Sequence, residues 1–146
     1  TEIVRALGAK HVFEAVDGAS AMDFLRANTV DVVITDLAMQ PIDGIEFVRM
    51  LRNSPTSPAP LLPVIMITGH STQTRVCEAR DVGVTEFLAK PVTVRGVLER
   101  LLEVVENPRP FIRSESYFGP DRRRKSETNY SGPWRRANDP KPDVAD

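Results

Sequence analysis

Three polar residues stand at the ends of three apolar runs. Asp36 closes Asp31-Val32-Val33-Ile34-Thr35-Asp36, Thr68 follows Leu62-Pro63-Val64-Ile65-Met66-Ile67, and Lys90-Pro91 follows Thr85-Glu86-Phe87-Leu88-Ala89. Short apolar runs bounded by turn residues read as strands. In an open parallel sheet the carboxyl ends of the strands lie side by side, and the crevice beyond them is where ligands bind. A carboxylate, a hydroxyl and an ammonium gathered there suit a phosphoryl group. The carboxylate can attack phosphorus and form an acyl phosphate, while cations neutralise the equatorial oxygens. Lys90 is a movable point charge suited to a phosphate oxygen, and Gly69 leaves the backbone free to approach a ligand. Taken singly, each residue has a plainer reading: a capping Asp, a β-favouring Thr, a surface Lys. Their shared register is what favours the chemistry.

The elements that must position these groups alternate along the chain. Glu2 to Leu7 followed by Gly8 reads as the last turns of a helix closed by glycine. His11 to Val16 is a short strand candidate. Asp17-Gly18 opens a helix with Ala19, Met22 and Leu25 on one face. Asp43-Gly44 starts another, with Ile45, Val48 and Leu51 inward and a stop at Ser54-Pro55. Residues 55–60 form an irregular Pro-rich loop. A helix through Val76, Ala79 and Val82 closes at Gly83. Thr93 caps the last helix, whose apolar stripe is Val94, Val97, Leu98, Leu101, Leu102 and Val105. Strands alternating with helices predict an α/β fold, a doubly wound parallel sheet built from right-handed crossovers.

Composition bounds the rest. The 146 residues carry a net charge of −1, so the whole molecule is no polyanion binder. The single Cys77 excludes an intramolecular disulfide, reads as a small packing residue and suits a reducing, cytoplasmic compartment. No apolar run approaches the ~20 residues of a membrane helix, and no signal peptide is visible. The composition changes at Asn107, dividing the chain into a unit over residues 1–106 and a tail over 107–146. The first carries a net −4; the second carries +3 and six of the twelve prolines, and reads as largely disordered. The tail repeats a pattern, Tyr-x-Gly-Pro-x-Arg-Arg, at Tyr117-Phe118-Gly119-Pro120-Asp121-Arg122-Arg123 and Tyr130-Ser131-Gly132-Pro133-Trp134-Arg135-Arg136. These basic copies suit docking on an acidic protein surface. RNA is the other candidate, with Tyr117, Tyr130 or Trp134 stacking on bases. A solubilising linker is the plain alternative.

The order Asp36, Thr68, Lys90-Pro91, at intervals of 32 and 22 residues, resembles the receiver domain of two-component response regulators over residues 1–106. The resemblance implies a flavodoxin-like receiver fold with Asp36 as phosphoacceptor and Thr68 and Lys90 on the phosphoryl group. It implies a cis Lys90–Pro91 peptide, and Phe87 as a switch aromatic that swings inward on phosphorylation. It further implies Mg2+ held by Asp36 and the backbone carbonyl of Ala38, and a lifetime of the acyl phosphate tuned at Ala38 and His70. The implied phosphodonor is a histidine kinase or histidine phosphotransfer protein. The chain would then be a phosphoacceptor rather than an enzyme. Output would run through the face formed by the last helices to a downstream protein partner, with no nucleic-acid domain and no membrane.

The chain departs from the family in one main respect. The first strand and the acidic pair that ends it are missing from this chain, and their place is between the strand at 11–16 and the one ending at Asp36. Glu14 and Asp17 are poorly placed to substitute. The Thr1 start and the helix end that follows imply a further N-terminal segment of about 20–25 residues, the length that one strand and two or three helical turns need. Gln40 stands where the family often has Pro, while Gly44 keeps its spacing from Asp36. The alternative is a phosphorylation-independent pseudo-receiver scaffold whose tail repeats recruit a partner. A haloacid-dehalogenase-type enzyme would carry a second Asp two residues after Asp36, where this chain has Ala38.

Overall fold

The computed structural model describes residues 1–39, 42–69 and 72–122. The elements are α1 (Glu2–Ala6), α2 (Gly18–Ala27), β1 (Val33–Asp36), α3 (Gly44–Asn53), β2 (Val64–Thr68), α4 (Gln73–Val82), β3 (Glu86–Ala89), α5 (Val94–Glu106), β4 (Phe111–Arg113) and β5 (Phe118–Pro120). Among the described residues, β1, β2 and β3 form one parallel sheet in that order.

Side chains alternate across a strand, so a fully buried strand feeds two cores. Val64 and Met66 of β2 join Met22, Leu25, Ile45, Val48, Leu51 and Ala79 on one side. Ile65 of β2 joins Leu88 and Val97 on the other, where Ile3, Val4, Leu7, Ile34 and Leu101 complete the cover. Helices α2, α3 and α4 thus lie on one face and α1 and α5 on the opposite face, the doubly wound arrangement that the alternating elements predict.

Local chemistry sets the helix ends. The Asp17 carboxylate accepts from the Ser20 amide at 2.8 Å, and the Ser20 hydroxyl accepts from the Asp17 amide at 3.2 Å, a capping box. The Asp43 carboxylate accepts from the Glu46 amide at 2.8 Å. The Thr93 hydroxyl accepts from the Gly96 amide at 3.0 Å, as expected of a cap. Helix α4 closes at Gly83, whose φ of 106° is the left-handed region that glycine enters freely.

Three expectations need correction. Residues 11–16 do not form a strand: they run as coil, with Phe13 65% and Val16 88% exposed. A strand needs a ladder partner. No strand among the described residues lies between this segment and β1, so its backbone has none. Phe13 instead stacks on Phe24 of α2, ring centroids 3.7 Å apart. Second, the stripe on α5 divides. Val97 is buried and Leu101 and Val104 pack beside it, while Val94, Leu98, Leu102 and Val105 are exposed. The sheet accepts only the 97, 101, 104 line of the helix surface.

Third, the reading of a largely disordered tail from Asn107 does not hold for residues 107–122. Strands β4 and β5 pair antiparallel, with the Ser114 amide donating to the Tyr117 carbonyl across the turn at 2.8 Å. The hairpin is anchored from elsewhere in the chain. Arg109 pairs with the buried Glu86 carboxylate at 3.1 Å, and the guanidinium of buried Arg52 lies 4.9 Å from the Phe111 ring centre. Residues 123–146, including the second copy of the repeat with Tyr130 and Trp134, lie outside the described residues.

Leu51 is fully buried and Leu102 is 43% exposed. Leu51→Ala is expected to cost about 2–5 kcal/mol through lost burial and a residual cavity. Leu102→Ala should stay within ~0.5 kcal/mol. Urea unfolding of both variants measures the difference.

Candidate functional site

β2 aligns the site. Asp36 sits opposite Ile67 of β2, and Thr68 opposite Ala89 of β3. The backbone amide of Lys90, next after Ala89, donates to the Thr68 carbonyl at 2.8 Å. All three sequence-derived residues therefore emerge at the same carboxyl edge of the sheet.

Two of the side chains, Asp36 and Lys90, meet there. Lys90 Nζ lies 2.7 Å from Asp36 Oδ2, and the Ala38 amide donates to Asp36 Oδ1 at 3.0 Å. Burial alone would raise the Asp36 carboxyl. The hydrogen bond and charge of Lys90, with the amides of Ala38 and Leu37, outweigh it and hold the carboxyl below its ordinary range. Asp36 is therefore an ionised acceptor at neutral pH, half open to solvent. Thr68 is 9% exposed at the neighbouring strand end. The Lys90–Pro91 peptide is cis, as the resemblance implies.

Residues around the trio fix its shape. Gly44 opens α3 directly under β1: a Cβ there would lie 2.3 Å from the Asp36 carbonyl oxygen, so only glycine allows this approach. Its amide donates to the Leu37 carbonyl at 3.0 Å, closing the turn. Asp43 caps α3 and also takes a bond from Arg75 Nη2 at 2.8 Å, tying α3 to α4. Sequence reasoning read Asp43-Gly44 as a helix start but not this link, since Arg75 lies 32 residues away. Phe87 is half-buried against the core under α3 and α4, and its carbonyl accepts from Arg100 Nε of α5 at 2.6 Å. Gln40 and His70 lie outside the described residues.

The resemblance implies Mg2+ at this edge of the sheet. Such a site takes octahedral oxygens, with one or two carboxylates and several waters. Asp36 supplies one carboxylate, already engaged by Lys90 and Ala38. Asp17 is committed to capping α2 and Glu14 is exposed. No group of three or more His, Cys, Asp or Glu among the described residues is arranged to hold a metal. The donor set of Asp36 and the Ala38 backbone alone does not fit the ion.

Residues 1–102 match the response regulator receiver domain family. Chemotaxis protein CheY-3 of Vibrio cholerae is 32% identical over 104 residues, spanning 71% of this chain and 78% of that protein. Chemotaxis protein CheY of Pseudomonas aeruginosa is 30% identical over 104 residues, 71% of this chain and 82% of its own. Among solved structures, Vibrio cholerae chemotaxis protein CheY4 is similar with a TM-score of 0.63 at 29% identity, over 70% of this chain and 83% of that one.

Lys90→Met should raise the Asp36 titration midpoint, because burial then acts without the opposing cation. A carboxyl lowered in the fold adds stability that is present above its ordinary value of 3.8 and is lost as pH falls through the folded midpoint. The variant should therefore be less stable than the parent at neutral pH, with the gap closing in acid. NMR titration of the Asp36 carboxyl carbon and urea unfolding at several pH values measure both.

Proposed function

The chain belongs to the response regulator receiver domain family, the CheY type of two-component signalling, and we propose that Asp36 is its phosphoacceptor. The reading rests on the Lys90–Asp36 contact at 2.7 Å, with Thr68 at the adjoining strand end.

A histidine kinase or histidine phosphotransfer protein would present a phosphohistidine. An Asp36 carboxylate oxygen forms a bond to phosphorus as the P–N bond breaks. The electron pair stays on the departing imidazole, which takes a proton from water. Lys90 moves from Oδ2 to a phosphoryl oxygen, and the Thr68 hydroxyl donates to another. Lys90 begins within bonding distance of the nucleophile, so the incoming charge meets a cation already in place. The chain accepts the group without turning over a substrate of its own.

The consequence travels through β3. Repositioning Lys90 and Thr68 acts on the strand that carries Phe87, and Phe87 is tied to α5 through Arg100. Helix α5 exposes Val94, Leu98, Leu102 and Val105, an apolar face fit for a protein partner. A switch of this kind needs only a few kcal/mol of differential binding between two states.

The single carboxylate of the site favours one second reading, a scaffold that binds its partner without phosphorylation. Intact-mass analysis with acetyl phosphate and Mg2+ separates the two. A phosphoacceptor gains one phosphoryl group, and Asp36→Asn gains none. An adduct that persists in Asp36→Asn defeats the assignment of Asp36, and a parent chain that stays unmodified leaves the scaffold reading.

A further inference from the structure

The tail pattern Tyr-x-Gly-Pro-x-Arg plays no part in the phosphoryl chemistry, yet its first copy is built into the fold. Tyr117 is 8% exposed and its hydroxyl donates to the Pro120 carbonyl at 2.6 Å. Pro120 is fully buried. Gly119 lies against Gly83: a Cβ on Gly119 would stand 2.9 Å from the Gly83 Cα and 2.6 Å from the Tyr117 hydroxyl. Arg122 stacks 4.7 Å from the Tyr117 ring centre and pairs with Asp81 of α4 at 2.7 Å. These contacts place the copy in a cleft between the C-terminal ends of α3 and α4, floored by Gly83.

The two copies differ in an informative way. Tyr, Gly, Pro and the first Arg recur, and in the first copy these residues shape the turn or meet Gly83 and Asp81. The residue after Tyr does not recur: Phe118 becomes Ser131. The Phe118 ring packs within the hairpin, 5.8 Å from the Phe111 ring centre and 4.0 Å beneath the Arg113 guanidinium. The position between Pro and Arg changes as well, from Asp121 to Trp134, while the repeated Gly119 and Arg122 are the residues that meet Gly83 and Asp81.

We infer that the Gly83–Asp81 cleft is a docking site for Tyr-x-Gly-Pro-x-Arg segments, and that residues 130–136 are a second ligand for it, in exchange with residues 117–122. Reach allows this. The first copy begins eleven residues after Glu106, where α5 ends, and the second twenty-four residues after. Loop-closure entropy grows slowly with length, so the longer tether lowers the effective concentration only about threefold. The shorter tether and the Phe118 contacts favour the first copy at rest.

The only tryptophan of the chain, Trp134, lies within the second copy and reports on it. In the full chain, Gly119→Val cannot seat against Gly83 and releases the first copy. The expected result is a blue shift of Trp134 emission with reduced acrylamide quenching, both reversed by adding Gly132→Val. No change in Gly119→Val, or a change that survives Gly132→Val, overturns the inference. Should Gly119→Val lose its helical circular dichroism, a second measurement decides. A peptide spanning residues 127–138 is titrated onto the full-length parent and onto Arg122→Ala, following the Gly83 amide by NMR. Saturable shifts, several-fold tighter in Arg122→Ala, support the site. Shifts no larger than those from a scrambled peptide overturn it.

Discussion

β2 is buried from both sides, and its register sets the positions on which the site depends. Val64 and Met66 face one core and Ile65 the other. A slip of one residue would exchange these faces and expose each set to the wrong layer. Fully burying each such side chain is worth about 1.5–3 kcal/mol. The half-exposed Asp36–Lys90 pair is worth ~0–1 kcal/mol. The cores therefore hold the site in place. With β2 fixed, β1 must deliver Asp36 beside Ile67, and β3 must deliver Lys90 past Ala89.

The two ends of the sheet are treated differently. The carboxyl end stays open, with Lys90 and Asp36 both partly exposed. The opposite end is closed by the hairpin. Glu86 begins β3 at 2% exposure and meets Arg109 at 17%. Arg52, equally buried, donates to the Gly83 carbonyl at 3.1 Å and the Pro60 carbonyl at 3.0 Å. A buried charge is costly unless it is paired and bonded. These arginines are bonded across three parts of the chain, so the hairpin and the α3–α4 ends order one another.

Much of this was legible in the sequence. The inward positions Met22 and Leu25 of α2 and Ile45, Val48 and Leu51 of α3 followed from apolar spacing, whereas Ala19, expected on the same face of α2, is exposed; Gly83 and Thr93 announced their helix ends. The Asp36, Thr68 and Lys90 trio followed from polar residues placed at strand ends. The hairpin was not legible. Its strands are three residues each, too short for periodicity, and its Pro-rich composition matches that of unstructured segments. The one available signal was the repeat, since Gly119 and Arg122, common to both copies, are residues that meet Gly83 and Asp81.

The sequence by itself determined the helices and the three parallel strands, where they stop, and which polar groups end those strands. These follow from neighbours a few positions away: caps, glycines, prolines and apolar spacing. Only the tertiary structure decided which apolar line of α5 is buried, that residues 11–16 pair with no strand, and that residues 107–122 fold onto Arg52, Gly83 and Glu86. Each of these turns on a partner distant in the chain. A residue's own surroundings in sequence carry no record of whether that partner will be there.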